Sequence, residues 1–213
     1  MTEILLTRFT AATRNETLAG LLRASGHPAA RLHKAETGKP YLQSGDLRLG
    51  LSITHLRRVQ PPFSLMAVAD DPAFAIDAEI WPENPADAAF LESVRSPEDA
   101  AALARLERLG GNPATLLWVV KEAALKASGE VMTEPRELAV ESRGGALTVL
   151  TSPAASKPVP AARVSLFELA PTATQPRVIL AAAHIEIGRK VIGTKSQISL
   201  KPLNLQVTPI NLT

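Results

Sequence analysis

Two carboxylates, Asp77 and Glu79, stand two positions apart in the otherwise apolar run 74–80. Side chains at i and i+2 of a strand point the same way, so the pair converges on one point. Like charges held that close favour a proton or cation between them. Mg²⁺ suits such a pair, because water and phosphate can complete its shell. A solvent-facing edge strand with an acidic face would carry the same residues. A second cluster lies in the segment 113–128, where Trp118, Glu122 and Lys126 recur at i, i+4 and i+8. Counted from Leu116 at 100° per residue, they fall at about 200°, 240° and 280°. They lie opposite an apolar stripe of Leu116, Leu117, Val120, Ala124 and Ala127, with Lys121 at about 140°, beside the apolar edge. A Glu–Lys pair at this spacing is commonly a surface ion pair. The tryptophan on the same face points instead to a cleft wall, or to packing against another lobe. His55 ends the run Leu51-Ser52-Ile53-Thr54-His55 and with Thr54 offers donors suited to phosphate oxygens. Lys39, in the loop Gly38-Lys39-Pro40, does the same. Each of these three is also an ordinary structural residue. His27, His33 and His184 lack metal-ligand spacing, and the chain has no phosphate-cradling glycine loop and no nucleophile elbow.

The elements that must position these groups follow from periodicity and punctuation. Strands are predicted at 3–9, 47–53, 64–70 and 74–80, with a helix at 15–25 closed by Gly26. In the run 74–80, Phe74, Ile76, Ala78 and Ile80 share one face, and Ala75, Asp77 and Glu79 share the other. Asn84-Pro85, Ser96-Pro97 and Asn112-Pro113 each supply a cap followed by proline at the first helical position. Ser96 with Asp99 fits a capping box. Gly110-Gly111 ends the second of these helices, and Gly129 ends the third near Ser128. Strands return at 137–142, 146–150, 163–169 and 177–187, the first two joined by a tight Gly144-Gly145 turn. The tail from 189 has four basic and no acidic residues and fits either a docked strand or an arm. Strands, then helices, then strands give an α+β chain. Its predicted divisions are an N-terminal lobe at 1–72, a C-terminal lobe at 73–188 and a tail at 189–213.

Composition excludes several function classes. The 213 residues are 46% hydrophobic and 21% charged, enough to bury a core and too apolar for general disorder. Cysteine is absent, which excludes disulfides, thiolate nucleophiles and cysteine-ligated zinc. The net charge of +2 is too small to point to nucleic acid. Its distribution is uneven: residues 73–112 carry 3 basic and 8 acidic groups, between segments carrying 9 against 6 and 11 against 7. No run approaches the ~18 apolar residues of a membrane span. The start, MTEILLTRF, lacks the apolar run and cleavage site of a secretory signal, so the cytoplasm is the expected address.

Ala75-Ile76-Asp77-Ala78-Glu79, then about forty residues, then Trp118-Val119-Val120-Lys121-Glu122-Ala123-Ala124-Leu125-Lys126 resembles the 4′-phosphopantetheinyl transferase signature of the surfactin-synthetase-activating type. Upstream, Gly38-Lys39-Pro40-Tyr41-Leu42 and Ser52-Ile53-Thr54-His55 are similar to further elements of that family, in the same order. There are departures. Ala75 stands where the family has glycine, and Ser52 where it has asparagine. Only 76 residues precede Asp77, so the first lobe is shortened.

The resemblance implies two similar α/β lobes related by a pseudo-two-fold, with coenzyme A between them. It also implies Mg²⁺-dependent transfer of phosphopantetheine from coenzyme A to a serine of an apo acyl or peptidyl carrier protein, releasing adenosine 3′,5′-bisphosphate. On that analogy Asp77, Glu79 and Glu122 are the metal ligands. Glu122 helps deprotonate the carrier serine, and Lys126 contacts the diphosphate and stabilises the leaving group. Thr54 and His55 hold phosphates of coenzyme A, and Lys39 with Pro40 lines the adenine site. Lys121, with Trp118, supports the helix wall and is counted with the coenzyme-binding residues. Arg8, Arg14, Arg23 and Arg31 are available for the 3′-phosphate. The partners are then coenzyme A and a carrier protein, with no nucleic acid and no membrane. A member of the same fold that binds coenzyme A or a carrier without catalysis is the alternative.

Overall fold

The computed structural model describes residues 2–81, 88–130, 133–143, 146–172, 176–185, 198–203 and 205–212. The segment read as the first lobe runs β1 (Thr2–Phe9), α1 (Arg14–Ala24), β2 (Arg31–Lys34), β3 (Pro40–Ser44), β4 (Leu47–Leu56) and β5 (Phe63–Ala69). The second runs β6 (Phe74–Ile80), α2 (Ala88–Val94), α3 (Ala100–Glu107), α4 (Pro113–Ser128), β7 (Leu138–Arg143), β8 (Ala146–Thr151), β9 (Ala162–Leu169) and β10 (Val178–Ile185). Two strands follow in the tail, β11 (Ile198–Pro202) and β12 (Val207–Pro209). The chain is thus mixed α+β with two sheets and four described helices. The start predicted at Asn84-Pro85 and the turn at Gly144-Gly145 fall outside the described residues.

The sheets share one strand order. Sheet one reads β11-β1-β5-β4-β3-β2 and sheet two β6-β10-β9-β8-β7, so in each lobe the first strand pairs antiparallel with the last. In each lobe the helices enter between the first and second strands. Segment 1–72 supplies five strands to sheet one as segment 73–188 does to sheet two, and it carries less helix. The described part of the tail gives one strand to each sheet. Strand β11 runs parallel to β1 in sheet one, while β12 pairs with β9 in sheet two.

Core residues fall into three layers. Ile4, Leu6, Leu65, Ile76, Ala78, Leu180 and Ala182 pack between the sheets. Helix α1 covers the other face of sheet one through Leu21 and Leu22. Helices α3 and α4 cover sheet two through Leu106, Leu116, Val120 and Ala124. Alternation explains the sharing of β6: Phe74, Ile76 and Ala78 enter the inter-sheet core, while Ala75 faces the helices.

Strand β6 is an edge of its sheet, and β4 of the other sheet closes it with side chains instead of a ladder. Ser52 Oγ accepts from Ile76 N–H at 3.0 Å, which satisfies an edge donor that would otherwise be buried unpaired. Gly50 makes this approach possible. A Cβ there would collide with the Asp71 carbonyl and the Phe74 ring. Gly50→Ala is therefore expected to destabilise the protein by about 3 kcal/mol, measured by urea unfolding. A change under about 0.5 kcal/mol would mean the two sheets are not locked at this contact.

The strands β2 and β3 have no counterpart in the periodicity reading, which has only a loop at 38–40. Every residue of β2 is exposed, so Arg31-Leu32-His33-Lys34 shows no apolar alternation to read. The helix ends agree closely with their punctuation. The Asn112 side chain accepts from Ala114 N–H and Thr115 N–H at 3.0 and 3.3 Å, and Gly129 adopts φ +77°.

Candidate active-site cleft

Helix α4 is buried nearly all round, and Trp118, Glu122 and Lys126 are among its few partly exposed positions. The stripe separates at its two ends. Trp118 packs toward α2, with its ring 5.9 Å from that of Phe90. Glu122 and Lys126 instead line a cleft of about 520 Å³. Its opposite wall comes from the first lobe, with Lys39 and Pro40 on one side and Ser52 and Ile53 on another. Four residues singled out from sequence thus share one cavity: Lys39, Pro40, Glu122 and Lys126.

Asp77 stands behind this wall, 5% exposed. Its Oδ1 accepts from Lys126 Nζ at 2.5 Å and from Thr54 Oγ1 at 3.0 Å. Both bonds fall on Oδ1, and Oδ2 has no hydrogen-bond partner among the described residues. Burial raises the pKa of Glu122, and the neighbouring Asp77 raises it further, opposed by Lys126. Burial likewise raises Glu79, again with Asp77 adding to the shift and Arg58 and Lys126 opposing it. Asp77 therefore repels both glutamates, the arrangement expected of oxygen donors that face a common space. Hard carboxylate oxygens of this kind match Mg²⁺ chemistry. Among the described residues no three acidic or imidazole side chains stand close enough to hold a metal as a group. The cation actually beside Asp77 is the Lys126 ammonium.

His55 is exposed, and its Nδ1 is 2.6 Å from Ser64 Oγ. Partial burial lowers its pKa, and Arg57, Lys126 and Arg14 lower it further. Three fixed cations close enough to act on one ring define a positive region beside the carboxylates. Of these, the sequence reading had Lys126 and Arg14 but not Arg57. Nor did it have Arg58, which acts on Glu79. The available signal was the pair of arginines two residues beyond His55.

Other residues take roles different from those expected. The Thr54 side chain is 3% exposed, and its hydroxyl hydrogen goes to Asp77, so a phosphate must compete for it. Lys39 lines the cleft, but its ammonium donates to the Pro72 carbonyl at 2.9 Å and the Ala127 carbonyl at 2.6 Å. It thereby caps the last turn of α4 from the other lobe. Burial pushes its pKa down to about 8, with Asp71 opposing and Arg48 reinforcing the shift. Lys121 is the clear departure, because it is not in the cleft. Its side chain is 0% exposed and its ammonium is bonded to Asp99 Oδ2, the Val94 carbonyl and the Leu138 carbonyl. All three of its donor hydrogens are engaged and it has no exposure. It fastens α4 to the segment 94–99 and to β7.

Neither a protein-family model nor a curated protein sequence matches the chain. No helix among the described residues is long and apolar enough to cross a membrane.

Proposed function

We propose that the chain is a 4′-phosphopantetheinyl transferase that acts in the cytoplasm on apo acyl or peptidyl carrier proteins. It moves phosphopantetheine from coenzyme A to a carrier serine and releases adenosine 3′,5′-bisphosphate. One observation carries this reading: the strand bearing Asp77 and Glu79 meets the Glu122–Lys126 face of α4 beside a cleft between two lobes. The repeated strand order supports the finer fold assignment, two lobes related by a pseudo-two-fold. The three carboxylates are not drawn together in this structure; on this reading Asp77 through Oδ2, with Glu79 and Glu122, would close on Mg²⁺ as Lys126 leaves Asp77, and the ion would supply positive charge for the diphosphate. Lys126 exchanges Asp77 for an oxygen of the diphosphate and neutralises the departing bisphosphate. Glu122, its basicity raised by burial, takes the serine proton directly or through water as the serine oxygen bonds to phosphorus. Such transfer depends on positioning and charge neutralisation more than on a covalent nucleophile, so a cysteine-free chain suffices. His55, with Arg14 and Arg57 nearby, meets phosphates of coenzyme A, and Pro40 lines the adenine end.

A second reading, a binder of coenzyme A or carrier without catalysis, is favoured by the Lys126 ammonium already pairing with Asp77. Intact-mass spectrometry separates the two. Apo carriers incubated with the protein, coenzyme A and Mg²⁺ are expected to gain a phosphopantetheine mass, and EDTA is expected to prevent it. Lys126→Ala is expected to slow the gain about a hundredfold or more. Calorimetric binding of coenzyme A with no mass gain on any carrier would establish the binder instead.

A further inference from the structure

We propose that a second hollow, at the open end of the inter-sheet core, binds an aliphatic carboxylate through Arg8. Its volume is about 400 Å³, within the range of small-molecule sites. The apolar walls come from every part of the chain: Phe63 at the start of β5, Leu169 and Val178 at the facing ends of β9 and β10, and Leu205 from the tail. All four belong to the inter-sheet cluster or pack against it, so the hollow is a place where the core itself opens.

Among the described residues Arg8 is the one charged member of its lining. The guanidinium carbon lies 4.3 Å from the centroid of the Phe63 ring, and no carboxylate among the described residues pairs with it. Burial lowers its pKa, and no acidic neighbour offsets the shift. A ring face compensates a partly desolvated cation only in part. A carboxylate neutralises the guanidinium charge and accepts two parallel N–H bonds from one side of the fork. An unpaired fork beside apolar walls therefore selects an alkyl chain with a carboxylate head. A neutral alcohol of the same length leaves the fork unpaired, and a short carboxylate leaves the walls wet. A chain on the order of ten carbons suits a hollow of this size. Gln206, also in the lining, offers a further amide donor near the head.

This proposal stands apart from the transfer reading, and its test needs neither coenzyme A nor a carrier. The full chain is titrated calorimetrically with decanoate, decanol and acetate. Decanoate is expected to saturate one site with Kd below about 1 mM. Decanol is expected to bind at least about tenfold more weakly, and acetate not at all. Arg8→Met is expected to bring decanoate down to the level of decanol. Leu205→Glu, which sets an acid against Arg8 from the tail wall, is expected to exclude decanoate and decides the matter if Arg8→Met does not fold. Equal binding of decanoate and decanol, non-saturating heats, or undiminished decanoate binding in either folded variant would overturn the proposal.

Discussion

Glu122→Gln is expected to abolish transfer and, in the same molecule, to raise the melting temperature at neutral pH. The two effects have one cause. Burial and the adjacent Asp77 raise the pKa of Glu122 in the folded state. The folded protein then holds that proton more tightly than the unfolded chain does. The resulting stabilisation is present below the unfolded pKa and is lost as pH rises through the folded one. At neutral pH the ionised carboxylate is a net cost to the fold, and a glutamine in the same place carries no such charge. The amide also cannot accept the serine proton and is a poor ligand for a hard cation. Loss of a group that acts as both base and ligand is expected to lower kcat by about a thousandfold or more. Thermal melts at pH 5 and pH 8 and steady-state transfer on one carrier measure both halves. The stability gain of the variant should be larger at pH 8, where the wild-type carboxylate is more fully ionised. A variant that keeps near-normal turnover would remove Glu122 from the chemistry. One that loses activity and stability together would mean that the carboxylate is structural.

The parts of this site legible in the sequence are those fixed by local periodicity. The i, i+2 rule alone puts Asp77 and Glu79 together, away from the inter-sheet core, and β6 shows that split through Phe74, Ile76 and Ala78. The helical angle alone separates Glu122 and Lys126 from the stripe of Leu116, Val120 and Ala124. Caps at Asn112 and Gly129 are equally local. What was not legible depends on partners far along the chain. Lys121 sits at the border of the apolar stripe, where a lysine can reach either solvent or an interior acceptor. Its acceptors Asp99, Val94 and Leu138 come from segments whose approach no periodicity encodes. The ends of the Lys39 ammonium bonds, Pro72 and Ala127, are likewise backbone carbonyls, which have no sequence signature at all. The tail shows the same limit: β11 and β12 are short and half-exposed, and they become strands because the edge of β1 and the end of β9 beyond its pairing with β8 are open to them.

Lys121→Met is expected to be the most destabilising single substitution near the cleft. Both members of the Lys121–Asp99 pair are fully buried, with 2.7 Å between Nζ and Oδ2. Methionine fills most of the lysine volume, so the dominant effect is the carboxylate left behind. Asp99 would lose its counter-charge, and the carbonyls of Val94 and Leu138 would lose their donor. Removing one partner of a buried pair costs about 3–5 kcal/mol, which for a chain of this size lowers the melting temperature by about 10 °C or more. The identity of the remaining acid suggests the control. Asp99 Oδ1 accepts from Val140 N–H and Oδ2 from Ser96 N–H, both at 2.7 Å. Asparagine keeps one acceptor for those amides and removes the unpaired charge, so Lys121→Met with Asp99→Asn is expected to regain part of the loss. Because Lys121 touches the cleft only through the helix it anchors, transfer by the single variant is expected to fall with the folded fraction, with KM for coenzyme A unchanged at temperatures where it is folded. A KM that rises while stability holds would return Lys121 to the coenzyme site, from which its burial removes it.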